Sequence, residues 1–167
     1  MSRVELPPVA TDGPMKGMKL NFFRLIQNSK ATEAFFGESK KIQALMTLTA
    51  AEREAIAMLV SEYNGCDYCL SAHAGLGKQA GLDAEALAAA RKGESSDPKM
   101  QTLLTYTRLL LEKKGHVSDQ DLEDLKAAGY GEAEIIEIPL MIGIMTYNNM
   151  MNLSTALDND LPAAPGR

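Results

Sequence analysis

Apolar side chains recur along much of this chain at the three- and four-residue intervals of an α-helix. The clearest such stripe consists of Ile56, Leu59, Val60 and Tyr63. The opposite face carries small and apolar side chains around Glu54, so we expect this helix to be covered on both sides. No segment alternates apolar and polar residues as a half-buried strand does. The pattern therefore predicts an all-α protein.

Helix-start and helix-stop signals divide this pattern into separate helices. Thr49, followed three residues later by Glu52, is a capping box that predicts a helix from there to about Tyr63. In the segment AGLDAEAL a glycine stop precedes Asp83, which should cap the next helix.

Three more helices are predicted in the second half of the chain. An Asp-Pro start predicts a helix over residues 97–114, and Ser118 should cap the one after it. The last helix should follow a cap at Gly131 and cover about residues 132–157. Pro139 lies inside it and should introduce a kink.

Length and local composition predict the domain organisation. At 167 residues the chain is long enough for one domain with a substantial core and short for two. Residues 1–20 contain prolines and glycines and should form an extended arm. We expect residues 21–157 to form the helical domain and residues 158–167 a C-terminal tail.

Composition favours a globular helical core and argues against nucleic-acid binding. Hydrophobic residues make up 46% and charged residues 23%, with ten Met and no Trp, which suits helices packed through aliphatic side chains. The net charge is −5, and no Lys/Arg cluster is denser than a pair, so a surface that follows phosphates is not expected.

Neither a membrane span nor a secretory signal is indicated. The longest apolar run, near residues 138–145, is much shorter than a transmembrane helix. The N-terminus has no apolar core of signal-peptide length, so we expect a cytoplasmic protein. In a reducing cytosol two cysteines are expected to be catalytic or metal-binding rather than a structural staple.

Both cysteines of the chain lie in one short segment, NGCDYCLSAH. Cys66 and Cys69 are three positions apart, and His73 follows four positions later. Metal binding, covalent haem attachment and dithiol redox chemistry all use patterns of this kind. Haem attachment needs a histidine directly after the second cysteine, where this chain has Leu70, so that interpretation fails.

Zinc binding is an alternative, because the two cysteines and His73 supply three ligands. A structural zinc site has four. The other histidine, His116, lies in a turn far along the chain, and Glu54 would complete an uncommon ligand set. Zinc is therefore disfavoured, and we expect neither a metal nor a cofactor.

Dithiol redox chemistry fits the placement of the cysteines best. Asn64 and Gly65 should break one helix, so that the next begins at Cys66 or Asp67 with both cysteines in its first turn. The free N–H groups and the positive dipole end at such a helix start favour a thiolate.

The two helices that flank this turn should form an antiparallel hairpin. Glu54 lies ten positions before Asn64 and His73 nine positions after it, so their side chains should face each other. His73 is four positions from Cys69, so its ring can approach that sulfur. The three side chains form a candidate proton relay, with a solvated Glu54 as the alternative.

The spacing E-x(11)-C-x-x-C-x-x-x-H, carried by Glu54, Cys66, Cys69 and His73, resembles that of alkylhydroperoxidase D (AhpD)-like proteins. These belong to the carboxymuconolactone decarboxylase superfamily. The segments NFFRLIQNS, GHVSDQDLEDLKAAG and EIIEI also resemble its peroxidase-related branch. The likeness implies a single-domain AhpD-like helical bundle, with the two cysteines at the N-terminus of a helix in the hairpin.

The resemblance also implies an enzyme, a peroxidase that reduces hydroperoxides. Cys69 would attack the peroxide and become a sulfenic acid, and Cys66 would resolve it to a disulfide that an external dithiol reduces. Glu54 would draw the proton from Cys69 through His73 and a water. A homo-oligomer, often a trimer or hexamer, is implied as well, and the Met- and Asn-rich C-terminal helix should form buried core or part of the interface.

One residue departs from the family pattern, and other functions remain open. Tyr68 lies between the cysteines, where the best-known members carry a histidine. A phenol can pass a proton or orient a water, or it can serve in packing alone.

The alternatives to a peroxidase are a redox sensor or a thiol–disulfide exchange protein without fast turnover. Less favoured is a lyase of the lactone decarboxylase type, which does not rely on this cysteine pair.

Overall fold

Eight α-helices follow one another in the computed structural model, which describes residues 2–166. They are α1 (Asn21–Ile26), α2 (Lys30–Leu45), α3 (Ala50–Tyr63), α4 (Asp67–Gln79), α5 (Ala84–Arg91), α6 (Pro98–Glu112), α7 (Asp119–Ala127) and α8 (Glu132–Ser154). No strand occurs in this part of the chain, which confirms the predicted all-α, single-domain class. Met1 and Arg167, the outer ends of the predicted arm and tail, lie outside the described residues.

The predicted helix starts are confirmed by hydrogen bonds at the caps. Thr49 accepts a bond from the Glu52 N–H, and the Glu52 carboxylate accepts one from the Thr49 N–H, so the capping box is complete. Asp83 and Asp97 each accept a bond from the backbone of the first helical turn. Ser118 forms a second capping box at the start of α7. Each such cap contributes about 1 kcal/mol to stability.

Two helices end slightly earlier than the sequence predicts. α6 stops at Glu112, before the predicted end at residue 114, and α8 stops at Ser154, before the predicted end at residue 157. Lys114 and Ala156 adopt left-handed φ angles of 52° and 48°, which end the α-helical path. α8 continues through Pro139, and the kink predicted there stays a prediction.

α3 lies at the centre of the bundle and packs against α4, α5, α6 and α8. Its residues from Ala55 to Ser61 are all buried, which confirms that the helix is covered on both sides. Tyr63, the last member of the predicted apolar stripe, is instead 52% exposed, because it forms the end of α3 where the chain turns away from the core.

The arm, described from residue 2 to residue 20, contains no helix and lies against the bundle. The Arg24 guanidinium donates hydrogen bonds to the carbonyls of Leu6 and Pro7, and Met15 is buried. None of the helices in residues 2–166 combines the length and hydrophobicity that crossing a membrane requires.

Candidate active site

The turn between α3 and α4 places the two cysteines. Gly65 has a φ of +71°, the left-handed conformation that glycine adopts without strain, and it ends α3. Cys66 is the N-cap of α4, and its Sγ accepts a hydrogen bond from the Cys69 N–H at 3.3 Å. The predicted start of α4 is therefore confirmed, with Cys69 in its first turn.

Cys66 and Cys69 are joined by a disulfide, with their Cα atoms 5.3 Å apart. Both residues are almost completely buried, with exposed fractions of 1% and 3%. This is the pairing that the resemblance implies. It stands at a helix N-terminus, where unpaired N–H groups stabilise negative charge on sulfur once the bond is reduced.

Glu54 and His73 meet across the hairpin as the sequence predicts. Glu54 on α3 and Nδ1 of His73 on α4 form a contact of 2.7 Å through Oε2 of the carboxylate. Both side chains are mostly buried, with exposed fractions of 13% and 15%. Because an ionised carboxylate can only accept a hydrogen bond, the contact favours the tautomer in which Nδ1 carries the proton and Nε2 is left as a base. The solvated alternative for Glu54 does not fit this geometry.

Gly77 on α4 leaves room for a side chain of α5 beside the Glu54–His73 pair. Gly77 lies one turn after His73 on α4 and faces both α3 and α5. A Cβ at this position would lie 2.5 Å from a methyl group of Leu87 and 3.6 Å from the Cβ of Glu54. A larger residue would therefore require the buried Leu87 side chain on α5 to move, whereas its distance to Glu54 on α3 would be an ordinary van der Waals contact.

Cys69, His73 and Glu54 all line one cavity of about 230 Å³. Its wall is mainly apolar and includes Phe22, Phe23, Phe36, Ile144, Met145 and Leu161. The three phenylalanine rings pack edge to face with one another, with centroids 5.6 Å apart. The cavity is thus mainly apolar, with the Cys69 sulfur and the Glu54–His73 pair on its wall beside other polar side chains, among them Lys40, Gln43, Asn148 and Asn152.

The Tyr68 hydroxyl forms hydrogen bonds with Phe22 and Asp160 and with neither cysteine sulfur. The hydroxyl accepts from the Phe22 N–H at 3.1 Å and donates to Oδ1 of Asp160 in the C-terminal tail at 3.0 Å. Burial, and then the Asp160 carboxylate, raise the pKa of Tyr68 above its usual value, against the opposing effect of the Phe22 N–H. This geometry favours the packing role over proton transfer.

The C-terminal tail takes part in building the site, which the sequence did not indicate. Asp160 also accepts a hydrogen bond from the Asn21 N–H at 2.8 Å, at the start of α1. Asn159 donates to the Ser71 hydroxyl on α4 at 3.0 Å. The tail therefore joins α1 to α4 beside the cysteines.

Two buried asparagines of α8 also contact the hairpin, and sequence reasoning missed both. Asn149 donates to Ser61 at 3.3 Å and accepts from Asn64 at 2.9 Å, which fixes the turn. Asn152 donates from Nδ2 to Cys69 Sγ at 3.3 Å. The signal available was three asparagines, Asn148, Asn149 and Asn152, near the end of a largely apolar helix.

The ligands that the zinc alternative requires are not brought together in residues 2–166. His73 is bonded to Glu54, while His116 is exposed in the turn between α6 and α7. No group of three His, Cys, Asp or Glu side chains with metal-binding geometry occurs in this part of the chain. Cys66 and Cys69 are bonded to each other.

Comparison with known proteins assigns the family. The model of the carboxymuconolactone decarboxylase family matches residues 30–112, a segment that includes α3, the cysteine turn and α4. This chain belongs to the carboxymuconolactone decarboxylase family. Among curated protein sequences, none matches it significantly.

Solved structures show which fold this family member has. An uncharacterized peroxidase-related protein from Silicibacter sp. TM1040 is 21% identical with a TM-score of 0.80, over 95% of this chain and 92% of that one. A peroxidase-related protein with an AhpD core from Ralstonia eutropha JMP134 is 20% identical with a TM-score of 0.81, over the same shares of 95% and 92%. The debrominase Bmp8, in complex with 2,3,4-tribromopyrrole, is 22% identical with a TM-score of 0.70, over 86% and 79%.

These likenesses confirm the AhpD-like fold of this carboxymuconolactone decarboxylase family member. The carboxymuconolactone decarboxylase family takes its name from an enzyme, and the Cys66–Cys69 disulfide supports a redox role for this chain. Bmp8 shows that the same fold also carries a debrominase. The substrate therefore has to be argued from the site itself.

Proposed function

We propose that this protein is a cysteine-based peroxidase that reduces organic hydroperoxides through a dithiol–disulfide cycle of Cys66 and Cys69. One observation carries the proposal. Cys69 lies on the wall of an apolar cavity together with the hydrogen-bonded pair of His73 and Glu54. A nucleophile, a base and a space for an apolar substrate therefore meet at one place.

The cycle begins with the reduced protein. His73 takes the proton of the Cys69 thiol, and Glu54 stabilises the resulting imidazolium through Nδ1. The Cys69 thiolate attacks the terminal oxygen of ROOH, so that an S–O bond forms and the O–O bond breaks. The departing alkoxide takes the proton from His73 and leaves as ROH, and Cys69 becomes a sulfenic acid.

Cys66 completes the oxidative half of the cycle. Its thiol sulfur attacks the sulfenic acid sulfur, which forms the Cys66–Cys69 disulfide and releases water. An external dithiol then reduces this bond and is itself oxidised to a disulfide. Such a donor is available in the reducing cytoplasm, where we propose that the protein acts.

The cavity favours a compact apolar substrate. Its volume of about 230 Å³ is below the roughly 300–1,000 Å³ of pockets for drug-sized ligands. Phe22, Phe23 and Phe36 offer ring surfaces to an organic group. We therefore expect cumene hydroperoxide to be reduced more efficiently than hydrogen peroxide, which leaves this apolar wall unfilled.

Thiol–disulfide exchange without fast peroxide turnover is the second candidate function. A separate cavity borders Cys66 and is lined in part by Gly65, Asp67 and Asn159. It offers a partner thiol a route to Cys66 that does not pass through the apolar cavity. In this function the disulfide would form and be reduced reversibly, with little consumption of peroxide.

The decisive experiment measures hydroperoxide consumption with a dithiol donor. The wild type should consume cumene hydroperoxide far faster than the donor alone, and Cys69→Ser should abolish the difference. His73→Ala should slow turnover, whereas His116→Ala, a matched change at the exposed histidine, should leave it unchanged. Bromide release from 2,3,4-tribromopyrrole, assayed in parallel, reports the activity named for Bmp8.

The outcomes separate the candidate functions. A wild-type rate no higher than that of the donor alone contradicts the peroxidase proposal. Reversible disulfide formation without such turnover favours the exchange function. Bromide release that exceeds hydroperoxide consumption favours a dehalogenating enzyme.

A further inference from the structure

The side-chain amide of Asn152 has one bonded atom and one atom without a partner. Asn152 is 4% exposed, and its Nδ2 donates to Cys69 Sγ at 3.3 Å. Its Oδ1 is the only buried side-chain nitrogen or oxygen in residues 2–166 without a hydrogen-bond partner. Such a group destabilises the folded protein, so its retention requires an explanation.

The orientation of this amide follows from the chemistry of its neighbour. If Oδ1 and Nδ2 exchanged places, the oxygen would face a disulfide sulfur, which carries no proton to donate. Two amide hydrogens would then be buried without the present acceptor. The arrangement in which Nδ2 faces Cys69 Sγ is therefore the better one, and Oδ1 is left as a free acceptor.

Asn152 lies where the proposed hydroperoxide substrate would contact the Cys69 sulfur. It lines the apolar cavity together with Cys69 and His73, and it also lines the second cavity, which borders Cys66. Asn149, three positions earlier on α8, shows the contrast. Its amide donates to Ser61 and accepts from Asn64, both within the protein.

We propose that Asn152 is a catalytic residue that holds both reactants: Nδ2 donates to the Cys69 thiolate, and Oδ1 accepts a hydrogen bond from the terminal O–H of the bound hydroperoxide. The second half of this proposal rests on the proposed peroxidase function. The first half concerns Cys69 alone and stands without it.

Each half of the proposal follows from the chemistry of the step. The disulfide sulfur is a weak acceptor, whereas the thiolate receives a charge-assisted hydrogen bond, so the Nδ2 contact strengthens on reduction. The terminal oxygen of ROOH carries the proton and is the atom that Cys69 attacks. An acceptor beside the sulfur therefore positions that oxygen for S–O bond formation, while the alkoxide leaves toward His73.

Alkylation of Cys69 by iodoacetamide tests the first half. In a Cys66→Ser background only Cys69 reacts, and its rate is followed against pH. Asn152→Leu removes the donor while keeping the number and branching of the side-chain heavy atoms. It should shift the alkylation profile toward higher pH by about one to two pH units. Thr107→Val, which removes a buried hydroxyl bonded to the Leu103 carbonyl on α6 and lies outside both cavities, should leave the profile of Cys69 in place.

Asn152→Asp provides a second variant of the same size in case the leucine variant does not fold. It keeps an acceptor and replaces the donor with a negative charge. Its alkylation profile should therefore shift further toward high pH than that of Asn152→Leu. Profiles of Asn152→Leu and Asn152→Asp that superimpose on the wild type overturn the first half.

Single-turnover oxidation by cumene hydroperoxide tests the second half. The oxidation rate is measured at a pH where Cys69 is fully ionised in both the wild type and Asn152→Leu. There Asn152→Leu should react with iodoacetamide at the wild-type rate but with cumene hydroperoxide at least about tenfold more slowly. If the ratio of the Asn152→Leu rate to the wild-type rate is the same for iodoacetamide as for cumene hydroperoxide, the second half is overturned. A wild type that does not react with the hydroperoxide overturns both this half and the proposed function, while the alkylation profile still decides the first half.

Discussion

Glu54 and His73, on opposite helices of one hairpin, are joined by a hydrogen bond of 2.7 Å between Oε2 and Nδ1. The contact crosses from α3 to α4, so it depends on the hairpin that these two helices form around the Asn64–Gly65 turn. It links a carboxylate, an imidazole and the cavity wall that carries Cys69. In the proposed cycle this pair takes the proton of the Cys69 thiol.

The first prediction is that both members of this pair assist ionisation of Cys69. In a Cys66→Ser background, Glu54→Gln and His73→Ala should each slow iodoacetamide alkylation near pH 7 by about tenfold or more. The effect should disappear at high pH, where the thiol ionises without a base. A Glu54→Gln protein that reacts at the wild-type rate across the pH range would show that Glu54 has no part in the relay.

The second prediction separates the two cysteines by their order of reaction. Cys69 lines the cavity with His73, whereas Cys66 caps the helix and borders the other cavity. After one equivalent of hydroperoxide, Cys66→Ser should accumulate a sulfenic acid at Cys69 that a dimedone probe traps. Cys69→Ser should give no adduct at Cys66. Mass spectrometry locates the adduct, and labelling of Cys66 instead would reverse the assigned roles.

Local sequence signals predicted the hairpin and its acid–base pair, because both depend on short-range rules. The Asn64–Gly65 break fixes where two helices turn. Glu54 and His73 lie at nearly equal distances from that turn, which brings them to a similar depth. Capping residues such as Thr49 bond to backbone within one helical turn. These features require no knowledge of the remainder of the fold.

The contacts that complete the site come from distant parts of the chain and could not be predicted in this way. Asn152 meets Cys69 across 83 positions, and Asp160 meets Tyr68 across 92. Tertiary packing determines which face of an apolar helix such as α8 lies against the turn between α3 and α4. Helical periodicity in the sequence shows which residues share a face of a helix, but not which part of the protein that face contacts.

The third prediction is a homo-oligomer, expected to be a trimer or hexamer, that uses the exposed face of α8. Ile136, Leu140 and Met150 on this face are exposed, with fractions of 71%, 44% and 64%. Gly143 lies midway along the same face, and a Cβ there would meet nothing within 4 Å. A second copy can approach closely at this glycine and pair its own apolar side chains with these.

Sedimentation velocity of two variants tests this assembly. Ile136→Asp and Met150→Asp should each shift the protein toward the monomer of 18.1 kDa, because a carboxylate in an apolar interface is costly to desolvate. Leu45→Asp changes an 84% exposed side chain on α2 and provides the matched control. A wild type that sediments as a monomer at micromolar concentration would reject the prediction.

The fourth prediction concerns the stability of α3, which carries Glu54 into the site. The carboxylate of Glu52 accepts hydrogen bonds from the N–H and hydroxyl of Thr49, each 2.8 Å, and from the Tyr130 hydroxyl at 2.9 Å. Burial alone would raise the pKa of Glu52, but these hydrogen bonds, with a smaller contribution from Lys99, lower it below 4.5. The folded state therefore favours the ionised carboxylate.

The pH dependence of unfolding follows from this lowered pKa. A carboxyl group whose pKa is lowered in the folded state stabilises it above the unfolded pKa of 4.5, and this stabilisation is lost as pH falls through the folded value. Glu52→Gln should lower the free energy of unfolding by about 1–3 kcal/mol at pH 7 and by less near pH 3. Urea denaturation at several pH values measures both, and Glu123→Gln, at an exposed carboxylate paired with Lys126, serves as the control. A Glu52→Gln curve that stays parallel to the wild type from pH 7 to pH 3 would show that the Glu52 carboxylate does not stabilise the start of α3 through its charge.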